Sequence, residues 1–271
     1  MSHGPDDGRM IYLYCLTRSH RENPIHLSTM GIGGRGDEVY SIPFLDLAMV
    51  ISDSPQDEYE TTRANTVQHQ LVCEEVLKHG FTVLPIRFGT VCKPTSGKSS
   101  AEEKVKKLLG RRYGEFHSLL GEMENRVELG LKVFWKKEPL FQEIAAANQD
   151  IRGMRDRIAA NPLEGSSTYY ERLQLGTMVY NEMENRREIE ARRLARALSP
   201  LAERYETNKV LTDTMILNAA FLVHQSRVGK FDAKVNELDA RYNDSMTFRY
   251  VGPVPPFNFV ELVVHWEEDE E

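Results

Sequence analysis

The sequence predicts an α+β protein of two domains: an N-terminal variant of the ferredoxin-like sandwich, and a C-terminal small α+β unit with a long helical hairpin. Three observations predict it. Strand-type apolar runs alternate with segments of helical spacing over residues 10–136. After Pro139 the apolar residues step by four and three through two successive stretches. From Tyr205 onward strand composition returns.

Residues 11–16 (IYLYCL) are continuously apolar and β-rich, the mark of a central strand covered on both faces. Residues 20–37 read as loop, with Gly31, Gly33, Gly34 and Gly36 close together. Residues 38–52 return to strand composition, and Pro43 is expected to divide them into two short pieces. Within 64–78, His69, Val72, Cys73, Val76 and Leu77 share one helix face, and Gly80 is the stop. Residues 81–91 (FTVLPIRFGTV) form a further strand, where Pro85 implies a bulge or an edge. Ser99 and Ser100 each stand three residues before a Glu, a doubled capping-box signal. The helix it opens carries the stripe Val105, Leu108, Leu109, Arg112, Phe116, Leu119, Leu120 and Met123. Val127, Leu129, Leu131, Val133 and Trp135 then recur with period two, a strand with one face on a core. The order β, β, α, β, α, β places two helices on one face of a mostly antiparallel sheet.

Leu140, Ile144, Ala147, Ile151, Met154 and Ile158 step 4-3-4-3-4. Tyr169, Leu173, Gly176, Tyr180, Met183, Arg187, Glu190, Leu194 and Ala197 do nearly the same, and residues 161–166 supply a turn. The pair reads as a hairpin packed as a short antiparallel coiled coil, with Arg187 and Glu190 snorkelling or pairing in its seam. A strand over 205–211, another over 215–223, a helix on Phe231, Val235, Leu238 and Tyr242, and a strand over 246–251 complete the second unit. Gly252, Pro253, Pro255 and Pro256 then force an extended path outside any ladder. The expected boundaries are an extension over 1–9, domains over 10–136 and 137–262 (the hairpin taking 137–199), and an acidic tail over 263–271.

Composition narrows the function classes. The 271 residues are 41% hydrophobic and 28% charged, the balance of a folded soluble protein. Apolar runs such as 215–223 fall far short of the ~20 residues that cross a bilayer, so no membrane role is expected. Residues 1–9 lack the layout of a signal peptide, and Cys15, Cys73 and Cys92 are too few and scattered for a disulfide framework. The chain is expected to be cytosolic. It has 34 basic and 41 acidic residues; five acids form the terminal run 267–271, and without them 36 face 34. A nucleic-acid binder would show a basic excess instead.

The chemical motifs fail on context. Gly31, Gly33 and Gly36 spell G-x-G-x-x-G, but a polar stretch precedes and a strand follows, which favours a flexible loop over a dinucleotide site. Gly97, Lys98 and Ser99 imitate the end of a phosphate-binding loop, yet Cys92 stands where the motif needs glycine. His69 and Cys73 lie one helical turn apart without further ligands at a metal spacing, so a hydrogen-bonded core histidine is the better account. Ile86-Arg87-Phe88-Gly89 is not the aromatic motif of an RNA-recognition sheet. No catalytic constellation emerges, and no enzyme activity or cofactor is expected.

Six segments, in order along the chain, resemble the gas vesicle accessory proteins of the GvpF/GvpL family. They are the YLY strand of 11–16, TRANTVQHQLVCEEVL (62–77), VLPIRFGTV (83–91), VELGLKVFW (127–135), MILNAAFLV (215–223) and FRYVGPVPPFNFVEL (248–262). VLPIRFGT and GPVPPF are the most specific. The resemblance implies a non-enzymatic protein of gas vesicle organisation with two α+β domains and neither metal nor cofactor. Its implied partners are the main shell protein GvpA and other gas vesicle accessory proteins. Its implied place is the gas vesicle, and the cytoplasm before assembly. Some members are described as assembly or nucleation factors and others as minor structural components of the shell; both readings stay open. Arg63, His69, Arg87 and Asn218 match family motif positions, as a structural polar network near the domain junction or as an interface. Phe88 and Pro255 lie in the two specific motifs and join them as candidates. Phe257 and Phe259, set by Pro253, Pro255 and Pro256, either anchor a partner or fold back over the sheet. The strand with Pro85 is either a protected edge or one open to a partner's strand.

Overall fold

The structure, a computed structural model, describes residues 8–19, 25, 27–95, 99–160 and 166–266, the side chains of 166–168 excepted. Most of the expected extension, Gly97 and Lys98, the turn over 161–165 and the acidic run 267–271 lie outside the described residues. The elements run β1 (Met10–Arg18), β2 (Val39–Phe44), β3 (Leu47–Ser54), α1 (Arg63–Lys78), β4 (Leu84–Pro85), β5 (Val91–Cys92), α2 (Ala101–Arg111), α3 (Tyr113–Met123) and β6 (Arg126–Trp135). They continue with α4 (Lys137–Ala147), α5 (Gln149–Ala160), α6 (Ser166–Leu198), β7 (Arg204–Thr207), β8 (Met215–His224), α7 (Val228–Tyr242) and β9 (Met246–Val254). Tertiary contacts group the described parts of Met1–Glu128 and Pro253–Glu271 into one unit, and Leu129–Gly252 into a second. The expected boundaries, at 136 and 262, divide the chain differently. Residues 129–135 group with the second unit and 253–262 with the first.

The first unit is built on β1. Its sheet has the order β2-β3-β1-β4, with β5 also on β1, and the pairings are antiparallel. Residues 11–17 are all buried, as an apolar central strand requires. The β1–β3 register steps between Leu13 and Cys15, so Tyr14 is the extra residue of a bulge. Tyr12, Tyr14 and Cys15 pack with Val72, Cys73 and Val76 of α1. The helices α2 and α3 also contact β1. The six-element sandwich expected from sequence is therefore altered, because β6 joins the other sheet and β1 sits inside.

Local chemistry explains where elements begin and stop. Thr62 caps α1 by accepting from the Asn65 N–H, and the helix closes in a Schellman motif. There the Gly80 N–H bonds Leu77 O at 2.9 Å, the Phe81 N–H bonds Val76 O at 3.4 Å, and Gly80 takes φ +87. Ser100 and Glu103 form both halves of the capping box on α2. The long stripe kinks at Arg112, but Phe116 N–H still bonds Arg112 O at 3.0 Å, so the apolar face stays continuous. Pro43 does not divide β2 from β3. It lies on the outer strand opposite Ala48, where a missing N–H is tolerated, and the chain reverses at Leu45 (φ 54) and Asp46. Nor is 81–91 one strand. It is β4 and β5 separated by a turn, in which Thr90 N–H bonds Arg87 O at 3.3 Å and Gly89 takes φ +82.

The edge of β4 is closed by the C-terminal segment. Leu262 N–H donates to Pro85 O at 3.0 Å, and Arg87 N–H donates to Leu262 O at 3.0 Å. Arg112 donates to Val263 O at 2.9 Å, and the Trp266 indole N–H to Val91 O at 2.9 Å. The Asn258 N–H and side-chain amide both donate to the buried Glu128 carboxylate, at 2.7 and 2.6 Å. Burial pushes the Glu128 carboxyl up, and these two hydrogen bonds oppose the shift. The Pro85 edge is thus protected.

In the second unit the sheet order is β7-β8-β6-β9, with β7 antiparallel to β8. Leu129, Leu131, Val133 and Trp135 meet Phe221 and Val223 of β8, Phe231 and Leu238 of α7, and Met183 and Leu194 of α6 in one core. The first hairpin arm is two helices, because Asn148 ends α4 and its Oδ1 accepts the Asp150 and Ile151 N–H groups at the start of α5. Arg187 and Glu190 do pair: Arg187 with Glu184 and the Asp213 and Met215 carbonyls, Glu190 with Arg193. The strand β9 runs through Gly252 and Pro253 at the rim of its sheet, so the extended path outside a ladder begins at Pro255.

Glu128→Ala removes the acceptor of both Asn258 hydrogen bonds and should cost about 1–3 kcal/mol. A lower urea midpoint, with faster amide exchange over 258–262 than in the rest of the unit, checks it. On α1, burial opposes the charge of Glu75, but hydrogen bonds from Thr29 and Ser28 outweigh it and hold the carboxyl at about 2, below the ordinary 4.5. Its contribution is complete above pH 4.5 and is lost as pH falls from there through about 2. Urea titrations across that window should show the loss, and Glu75→Gln should flatten that part of the profile.

Candidate functional site

Three of the sequence candidates, His69, Phe88 and Phe257, meet beside α1 of the first unit. Helical spacing turns His69 inward with Val72, Cys73 and Val76, and it is buried. Its Nδ1 shares a 2.9 Å hydrogen bond with the Tyr12 hydroxyl, which also accepts the Gly89 N–H at 3.0 Å. Tyr14 accepts the Ile32 N–H at 2.7 Å and bonds Ser52 Oγ at 2.9 Å, while Tyr59 bonds Ser54 Oγ at 3.0 Å. The rings interlock: Tyr12 lies 4.8 Å from Tyr14 and 5.2 Å from Tyr59, and His69 lies 5.8 Å from Phe88 between centroids.

Burial disfavours ionisation of Tyr12, Tyr14 and Cys73. Burial pushes the Tyr12 phenol well above its ordinary value, and Tyr14 up to about 12. Burial likewise pushes the Cys73 thiol up, and its Sγ lies 3.5 Å from the Tyr14 carbonyl oxygen. Among the described residues no group of three or more His, Cys, Asp or Glu could hold a metal ion.

A cavity of about 160 Å³ opens beside the cluster, lined by His69, Phe88 and Phe257 with Thr66, Gln70 and Glu261. Small-molecule sites usually enclose about 300–1,000 Å³, so this space suits water or one side chain better than a substrate. Pro255 is buried, and its carbonyl accepts the Phe257 N–H at 2.8 Å. That turn lays Phe257, half-buried, on the first core. Phe259 is also half-buried.

Of the four motif residues Arg63, His69, Arg87 and Asn218, His69 is the one that is buried. Arg63 is exposed at the first turn of α1, and Arg87 is exposed on the turn after β4. Asn218 belongs to the second unit, where its side-chain amide donates to Lys209 O at 2.9 Å and its backbone carbonyl accepts the Asn208 N–H. Motif membership located these residues along the chain, whereas their neighbours depend on which unit each strand joins. The tyrosine hydroxyls were not singled out from sequence. Their signal was Tyr12 and Tyr14 at alternate positions in an otherwise apolar strand.

Tyr12→Phe removes the group that satisfies both His69 and the Gly89 N–H. The expected loss is about 1–3 kcal/mol, read as a lower urea midpoint with an unchanged slope. A change smaller than 0.5 kcal/mol, taken as roughly the scatter of surface substitutions, would show that the cluster does not hold the fold.

The comparisons with known proteins agree across the chain. Residues 10–261 match the family model described as gas vesicle synthesis protein GvpL/GvpF. Gas vesicle protein F of Nostoc sp. is 27% identical over 225 residues, covering 83% of this chain and 88% of that protein. Gas vesicle protein F1 of Halobacterium salinarum is 27% identical over 262 residues, covering 96% and 97%. The crystal structure of the gas vesicle protein GvpF from Anabaena sp. PCC7120 is similar with a TM-score of 0.72 at 26% identity, covering 95% of this chain and 100% of that one. The α+β fold, the ordered motifs and the near-complete coverage agree, and the chain belongs to the gas vesicle GvpL/GvpF family.

Proposed function

We propose that the chain binds the main gas vesicle shell protein GvpA and assists nucleation and assembly of the vesicle, covering apolar shell-subunit surface without making or breaking a covalent bond. The observation that carries this reading is the match of residues 10–261 to a family described by gas vesicle synthesis. Physical chemistry supports it. A shell that excludes water needs apolar side chains on its gas-facing side, and unassembled subunits carrying that surface aggregate. Covering about 800 Å² per partner, at roughly 25 cal/mol per Å² of apolar area, supplies ample gross stabilisation. Association entropy and side-chain ordering offset much of it, so the cover can come off again. Other gas vesicle accessory proteins are further partners in this reading. The encounter takes place in the cytoplasm, before the subunit enters the vesicle.

The tagged chain should retain GvpA from a vesicle-forming cell, and a strain lacking the chain should make few or misshapen vesicles. Failure to recover GvpA, together with normal vesicles in the deletion strain, refutes the reading. Persistence of the chain on urea-washed vesicles points instead to a fixed minor component of the shell.

A further inference from the structure

The second unit leaves uncovered a stripe that its sequence marks for burial. Tyr169, Leu173 and Tyr180 of α6 step like the buried seam that continues at Met183, yet they are 66%, 58% and 52% exposed. Beside them α4, α5 and α6 enclose an apolar groove of about 450 Å³, lined by Ile144, Ile151, Leu175 and Val179 with Phe141 at its rim. Gly176 belongs to both stripe and groove, and a Cβ there would meet nothing within 4 Å. Among the described residues, the charged side chains of the lining are Arg155 and Arg172, and no carboxylate lines it. Arg155 reaches the neighbouring, exposed Asp156 at 2.8 Å, and Arg172 makes no ion pair among the described residues.

We propose that this groove receives an amphipathic α-helix from a partner protein, with carboxylates on that helix meeting Arg155 and Arg172. Length argues for a helix. The stripe from Tyr169 to Tyr180 covers three turns of α6, about 16 Å at 1.5 Å per residue, more than one small molecule in the groove would cover. An incoming helix fills such a trough with side chains at i, i+3, i+4 and i+7. The open space at Gly176 allows close backbone approach midway along it. Charge argues for the acidic partner, because the charged side chains that line the groove among the described residues are both arginines, which attract carboxylates and repel basic helices. The inference names a surface and a partner chemistry, and it stands whether or not the shell-protein reading holds.

The test uses the full chain and two labelled synthetic helical peptides with one apolar face, one peptide flanked by Glu and the other by Lys. The Glu peptide should bind at least about tenfold more tightly, a difference of about 1.4 kcal/mol. The double variant R155E/R172E should reverse the preference. Gly176→Leu should weaken the Glu peptide about tenfold while the melting temperature holds or rises, because Leu is the better helix former. Binding of neither peptide, equal binding of both, or a preference that survives the charge reversal overturns the proposal. Self-association of the chain that Gly176→Leu abolishes also overturns it, by assigning the groove to a second copy.

Discussion

A strand of two residues cannot hold the edge of a sheet, and the first unit depends on Leu262 pairing its backbone with Pro85 and Arg87. Each backbone bond contributes only about 0.5–1.5 kcal/mol net, so the pairing holds because other contacts fix the same segment. Phe257 lies on the core, Asn258 grips the buried Glu128, and Trp266 bonds the Val91 carbonyl. The chain leaves this unit at residue 128, builds the second, and returns at Pro253 to finish the first. The second unit is thus an insertion in the chain of the first.

That closure also defines the candidate site. Phe257 and Val260 form one wall of the small cavity beside His69, so the site exists only once the C-terminal segment is in place. Inside, the Tyr12, Tyr14 and Tyr59 hydroxyls all have hydrogen-bond partners. Unsatisfied groups in such surroundings would be costly, whereas a satisfied network of interlocked rings fixes α1 and the Gly89 turn against β1. The second unit contrasts with it, since α6 keeps large apolar side chains in water along its first turns. Buried polarity that is fully paired explains itself within the fold. Exposed apolar surface at regular spacing asks for something outside it.

Elements whose signals are local were legible. The helix α1 begins and ends within one residue of its expected range, because Thr62, the 3.6-residue apolar spacing and Gly80 all act within a few residues. Ser100 and Glu103 mark the start of α2 for the same reason. Errors came where a local signal admits two answers. Pro43 can break a strand or sit on its outer edge, and only the pairing with Ala48 distinguishes them. The Tyr169–Tyr180 stripe has the spacing of a buried seam, but spacing names a helix face without saying what lies against it. Arg63, Arg87 and Asn218 were located as motif positions, and a motif carries no distances across the fold.

By itself the sequence determined the two α+β textures, the central strand 11–16, the capped helices and the membership read from its ordered motifs, since each is written in neighbouring residues. Tertiary structure decided that β6 belongs to the second sheet, that residues 255–266 close the first, and that Tyr12 joins His69 to the Gly89 turn. A period of two states that one face of β6 is buried and is silent about which sheet buries it. Glu128 meets Asn258 across 130 positions of chain, and a pairing that distant arises from the packing of intervening elements rather than from any local preference.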